Sequence, residues 1–256
     1  MVLLLAGFTG SFQKDDWLQS RESGFDFYYK QADAAQSRQY AGMINTGMQS
    51  VHGFFGKNYL QPFDVYLHPD RASLDSCWQH DWQMPSFKSE CWMVASGVAK
   101  RIDWLSPRRW SAEACEHNPA DTISMQQVVT HELVHVFHGQ MNASPDFSNT
   151  QNMDWFVEGL ATFASGQCDE GKIQQVADAI RTGNIPDSLS KFWTGKLRYA
   201  LSGSMVKYID AHYGRKFIIS LLALNNNHDV LQVLGVSEKT LLADWKEYII
   251  NQTAGH

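Results

Sequence analysis

Two hydrophobic periodicities divide this chain. Early segments mix alternation with one long helical run, whereas from Asp121 onward apolar residues recur three and four apart. Phe25-Asp26-Phe27-Tyr28-Tyr29 alternates and predicts a strand. Residues 31–55, rich in Ala, Gln and Met, predict a long helix closed by Gly56. Phe63 to His68 is the clearest strand pattern, and Pro69-Asp70 ends it. Residues 73–90 read as irregular, with Trp78, Trp82 and Phe87 among them. Residues 92–96 and 100–105 predict two further strands, a hairpin turning near Ser96-Gly97.

The later pattern predicts helices over residues 122–139, around Glu158, and over 170–182, 195–213, 215–224 and 238–251. Gly139, Gly214 and Gly235 serve as stops, and residues 143–152 form a loop rich in Ser, Asn, Asp and Pro. The last helix places Leu241, Leu242, Trp245, Tyr248 and Ile249 on one face, a core stripe. No repeat or low-complexity block interrupts the chain. The expected fold class is therefore α+β: an N-terminal mixed α/β lobe with a small sheet over residues 1–110 and an all-helical lobe over 111–256.

The helix over 122–139 carries Thr130-His131-Glu132-Leu133-Val134-His135, an H-E-x-x-H sequence. Histidines four apart share a helix face, with Cβ atoms about 5–6 Å apart, so both imidazoles can reach one Zn²⁺. Glu132 then sits beside the metal, where a carboxylate can take a proton from a water that zinc has acidified. Asp121 is placed to cap this helix. A third ligand is needed, and Asp154-Trp155-Phe156-Val157-Glu158-Gly159-Leu160-Ala161-Thr162-Phe163 offers Glu158 on a second helix with an apolar face.

These two stretches resemble the gluzincin metallopeptidases of the aminopeptidase type (peptidase MA-like). His131 to Gly139 is similar to their H-E-L-A-H-x-W-F-G, and Trp155 to Phe163 to their W-L-N-E-G-F-A-x-Y. The resemblance implies His131, His135 and Glu158 as zinc ligands, Glu132 as general base, and a zincin-like fold with the site in a cleft between the lobes. Between His135 and Glu158 lie 22 residues, a few more than the family usually has, and the loop over 143–152 absorbs them. The family also places an oxyanion-stabilising Tyr in a Y-x-K-G-like context. Tyr199 in Arg198-Tyr199-Ala200-Leu201-Ser202-Gly203 resembles it, with one extra residue before the Gly and no Lys; Tyr208 and His212 are the reserves. One of the two hairpin strands is implied as the edge that pairs with an extended peptide. The family's G-x-M-E-N sequence has no counterpart upstream of His131, which favours an endopeptidase over an aminopeptidase. The expected cofactor is Zn²⁺ and the expected partner a peptide or protein substrate; the alternative is a non-catalytic module that retains a zinc site.

Other polar residues change this picture little. His138 lies about 10 Å along the axis from His131, too far to share its ion, and reads either as a support behind the ligands or as pocket wall. Asp154 is placed either to cap its own helix or to orient a zinc-bound histidine, and Thr162 is a weaker supporting candidate. A net charge of −6, with Lys and Arg scattered apart from Arg108-Arg109, argues against nucleic acid. The longest late apolar run, residues 217–224, is far short of the eighteen or so that a membrane span needs. Nothing in the pattern specifies an oligomeric state.

Residues 2–8 resemble the apolar core of a secretory signal without its positive lead, and read either as a clipped signal or as a buried strand. Four cysteines, at 77, 91, 115 and 168, suit two disulfides in an exported protein, with 77–91 and 115–168 the expected pairs. The alternative is four buried thiols in a cytosolic one.

Overall fold

A computed structural model describes residues 16–253, and the apolar run over 2–8 lies outside them. The protein is α+β. Among the described residues a five-stranded mixed sheet is formed by β1 (Leu18–Arg21), β2 (Phe25–Tyr29), β3 (Phe63–His68), β4 (Ala95–Val98) and β5 (Arg101–Leu105), in the order β1-β2-β3-β5-β4. β2, β3 and β5 run parallel, while β1 and β4 pair antiparallel at the two edges. The parallel pairs need crossovers. α1 (Ser37–Phe55) supplies the first and α2 (Arg71–Asp81) is part of the second.

Alternation in the strands decides which face is covered. Phe25 and Phe27, then Phe63, Val65 and Leu67, then Ile102 and Trp104 are all buried, and α1 answers with Tyr40, Ile44, Val51 and Phe55. The seven other helices that matter here follow the sheet: α4 (Thr122–Met141), α5 (Asp154–Ala164), α6 (Glu170–Arg181), α7 (Arg198–Tyr213), α8 (Arg215–Leu221), α9 (Asn227–Leu234) and α10 (Glu238–Gln252), with the short α3 (Trp110–Glu113) before them. α4 is buried along most of its length because it packs on α1 on one side and on β4 and α5 on the others. α5 packs mainly on α7. A Cβ at Gly159 would lie 2.4 Å from the Ser202 carbonyl oxygen, so that contact is backbone on backbone.

Several elements depart from the sequence pattern. Residues 73–90 are not wholly irregular: α2 occupies Arg71–Asp81, with the Asp70 side chain accepting from Ser73 N–H at 2.8 Å. Its buried side is only Leu74, Cys77 and Trp78, too narrow a stripe to stand out among polar neighbours. β1 and α9 were likewise hidden, one short and polar, the other announced only by its cap Asn226, which accepts from Asp229 N–H at 3.0 Å. The hairpin turns at Ala99-Lys100, because Gly97 lies within β4 and pairs with Ile102. Gly139 is no stop: α4 continues to Met141, and a Cβ at Gly139 would meet the Pro145 carbonyl oxygen at 2.6 Å. The residue is small for packing.

The expected disulfides are also corrected. The bond joins Cys91 to Cys115, whose backbones already meet through Cys115 N–H and the Cys91 carbonyl at 3.2 Å. Cys77 and Cys168 are buried free thiols. Cys77 faces inward from α2 toward Asp81, Asp103 and Arg101, and Cys168 packs beside Gly203. No described helix is long and apolar enough to cross a membrane.

Candidate metal centre

α4 begins as its sequence predicts, with Asp121 accepting from Ser124 N–H at 3.0 Å. From there the helical period turns His131, Glu132 and His135 toward a cavity of about 540 Å³, with all three residues buried. α5 is anchored by Trp155 and Phe156, both buried, and the Trp155 indole N–H donates to Asn227 Oδ1 at 2.7 Å. That anchoring leaves Glu158 facing the same cavity with its side chain 25% exposed.

Glu158 Oε2 lies 3.2 Å from His131 Nε2 and 3.6 Å from His135 Nε2. One donor atom from each of the three residues lies within 4.8 Å of the others. Two imidazoles and a carboxylate converging at this spacing, all lining one cavity, are a donor set of the kind that would hold zinc. Glu132 is in the cavity wall and outside the convergent set. The donor set therefore fits zinc.

The same proximity governs protonation in the metal-free protein. Burial alone would raise the Glu158 carboxyl, but its attraction to His135 and the hydrogen bond from His131 outweigh it and hold Glu158 well below the usual carboxylate range. Burial would lower His131, yet the Glu158 hydrogen bond and the Glu132 charge raise it. Glu132 is pushed up by burial, against the pull of His131 and His135.

His131 has a second contact. Its Nδ1 lies 2.8 Å from Gln167 Oε1, in the turn after α5. Sequence pattern gave no sign of Gln167, which belongs to no motif and reaches the site only through that turn. His135 Nδ1 has no hydrogen-bond partner among the described residues; its ring packs on His131 at 4.8 Å and Phe147 at 6.0 Å.

Tyr199 stands in the cavity wall at the start of α7, its ring centroid 6.2 Å from that of His131. Trp193 at 4.7 Å and Trp92 at 6.4 Å hold it, and the Arg198 guanidinium lies 4.2 Å over the Trp92 ring. Burial raises the Tyr199 hydroxyl, with Glu158 and Glu132 adding to it, so it stays protonated and able to donate. Tyr208 and His212 stack on each other at 5.5 Å and do not line the cavity.

β4 and its lead-in form another part of the wall: Trp92, Val94, Ala95, Ser96 and Gly97 line the cavity. A Cβ at Gly97 would lie 2.5 Å from the Glu132 carbonyl oxygen, so the strand rests on the helix backbone beside the motif. The Cys91–Cys115 bond ties this lead-in to the segment that carries Glu116 and His117, which line the same cavity.

The remaining candidates are set apart. His138 is buried 5.0 Å from Phe147 and 5.7 Å from Phe156, behind the site, where burial and His135 lower its pKa to about 3 against the pull of the Leu222 carbonyl. Asp154 makes no cap; Met153 holds that position, and Asp154 lines the cavity with its carboxyl raised by burial and by Glu158. Thr162 is buried against Gly203.

A second group went unnoticed in the sequence: His68, Cys77 and Asp103, all buried, with donor atoms within 4.8 Å. Here a cation is already present. Arg101 Nη2 lies 2.7 Å from Asp103 Oδ1 and 3.0 Å from Cys77 Sγ, and His68 bonds Asp103 at 2.8 Å and Ser73 at 3.0 Å. That set is a satisfied ion-pair network. Compared with known proteins, the chain matches no family model and no curated protein.

Proposed function

We propose that this protein is a zinc-dependent peptidase of the gluzincin type. The observation that carries the reading is the convergence of His131, His135 and Glu158 from two packed helices, beside Glu132 and open to one cavity. On this reading residues 1–110 form the α/β lobe, 111–256 the helical lobe, and the site lies in the cleft between them in a zincin-like arrangement.

His131, His135 and Glu158 hold the ion. Zinc, when bound, supplies a Lewis acid and lowers the pKa of water to about 7. Glu132 takes the proton of the attacking water and hands it to the leaving amine. Tyr199, kept protonated by its surroundings, donates a hydrogen bond to the carbonyl oxygen as negative charge develops there. β4 is the terminal strand of the sheet and lines the cavity, so its outer edge offers backbone donors and acceptors to an extended peptide. An edge that reads backbone suits cleavage within a polypeptide, and no counterpart of the family's amino-terminus-gripping sequence stands upstream of His131. The protein is exported on this reading, in keeping with its disulfide.

Glu132→Gln separates the enzyme from a zinc-holding scaffold. The variant keeps its zinc, because Glu132 is no ligand, and loses hydrolysis of an unfolded protein substrate by at least about 10²–10⁴-fold. Wild-type protein that binds zinc and cleaves nothing contradicts the enzymatic reading and favours the scaffold.

A further inference from the structure

We infer that Gln167 is a positioning residue for the metal site, its side-chain oxygen accepting the Nδ1 proton of His131 so that Nε2 is kept for the ion. This rests on the zinc reading above. A neutral imidazole carries one N–H, and the nitrogen that donates it leaves the other as ligand. His131 presents Nδ1 to Gln167 Oε1 at 2.8 Å and Nε2 toward Glu158 Oε2 at 3.2 Å. Both oxygens accept, so once an ion takes the place of the Nε2 proton, Gln167 keeps the remaining proton on Nδ1.

Gln167 is itself held. Gly166, at φ +80°, turns the chain out of α5. Gln127 Nε2 donates to the Gly166 carbonyl at 3.0 Å, and Cys168 N–H to the Thr162 carbonyl at 3.1 Å. Gln127 and His131 sit one turn apart on α4, so the ligand's own helix anchors the turn that orients it. Among the described residues His135 has no comparable acceptor at Nδ1, so of the two histidines His131 is the one oriented by a hydrogen bond from its far nitrogen. A neutral amide suits the place. Glu132 and Glu158 already bring two carboxylates here, and a third would add repulsion when the ion is absent.

The test is zinc affinity of the purified full chain by chelator competition, for wild type, Gln167→Leu and Gln167→Glu, with thermal unfolding of each zinc-free protein. Gln167→Leu, similar in size but without an acceptor, is expected to bind zinc about 10–100-fold more weakly at an unchanged unfolding temperature. Gln167→Glu, which restores the acceptor, is expected to bind at least as tightly as wild type. Equal affinity of Gln167→Leu and wild type overturns the role of Gln167 and leaves the zinc reading intact. Equal losses in both variants overturn it too, since the residue then acts through packing. Wild-type protein that binds no zinc removes the zinc reading and this inference together.

Discussion

The Cβ that Gly97 lacks would lie 2.5 Å from the carbonyl oxygen of Glu132, so at this point the edge strand and the helix bearing the proposed base meet backbone to backbone. A side chain at 97 must push β4 off α4. Gly97→Val is therefore expected to cost about 1–3 kcal/mol, by analogy with overpacked cores. Peptide hydrolysis is expected to fall well beyond that loss of stability, with zinc retained, because the strand proposed to bind substrate moves relative to Glu132. Denaturant unfolding and kcat/KM measured on one preparation check this; unchanged kcat/KM would detach β4 from substrate binding.

Tyr199 has a narrower role. Tyr199→Phe removes one donor while keeping the ring among Trp92, Trp193 and His131. The expected result is a kcat about 10²–10³-fold lower with KM and zinc content little changed. A variant as fast as wild type would return the oxyanion role to another group.

Peptide mapping under non-reducing conditions is expected to find the Cys91–Cys115 link, with Cys77 and Cys168 labelled by thiol reagents only after unfolding. Cys91→Ser is expected to destabilise the protein by about 2–4 kcal/mol. Hydrolysis should suffer as well, because the bond ties together two segments of the cavity wall. Recovery of 77–91 or 115–168 peptides would contradict the arrangement.

His138 predicts an acid sensitivity. Burial depresses its folded pKa to about 3 against an unfolded value of about 6.5, so the neutral form is the one the fold accepts. Its contribution is intact above pH about 6.5. It is lost at about 1.4 kcal/mol per unit as pH falls toward 3, because the unfolded chain takes up the proton first. The electrostatic effect of the neighbouring His135 acts in the same direction. In zinc-free protein, His138→Leu is expected to gain on wild type steadily across that interval. A stability difference independent of pH would contradict the shift.

The motif and its periodicity made much of the candidate site's geometry legible in advance. His131 and His135 share a face because a helix repeats every 3.6 residues, and Glu158 was found from the apolar face that buries Trp155 and Leu160. Strands β2 and β3 were equally visible, since alternation reports one covered face. What escaped notice lacked such a signal. α2 buries only three residues and hides among polar ones, and the Cys91–Cys115 pairing depends on where two loops meet in space. Gln167 and Gly97 matter through contacts between distant segments, which no local spacing reveals.

Zinc titration of four proteins, wild type, His135→Ala, Glu158→Ala and His138→Ala, reads the ligand set itself. One tightly held ion is expected in wild type and in His138→Ala. A steep loss is expected in the other two, because each removes one of three convergent donors. Zinc retained by Glu158→Ala but lost from His138→Ala would contradict the ligand set, and the gluzincin reading with it.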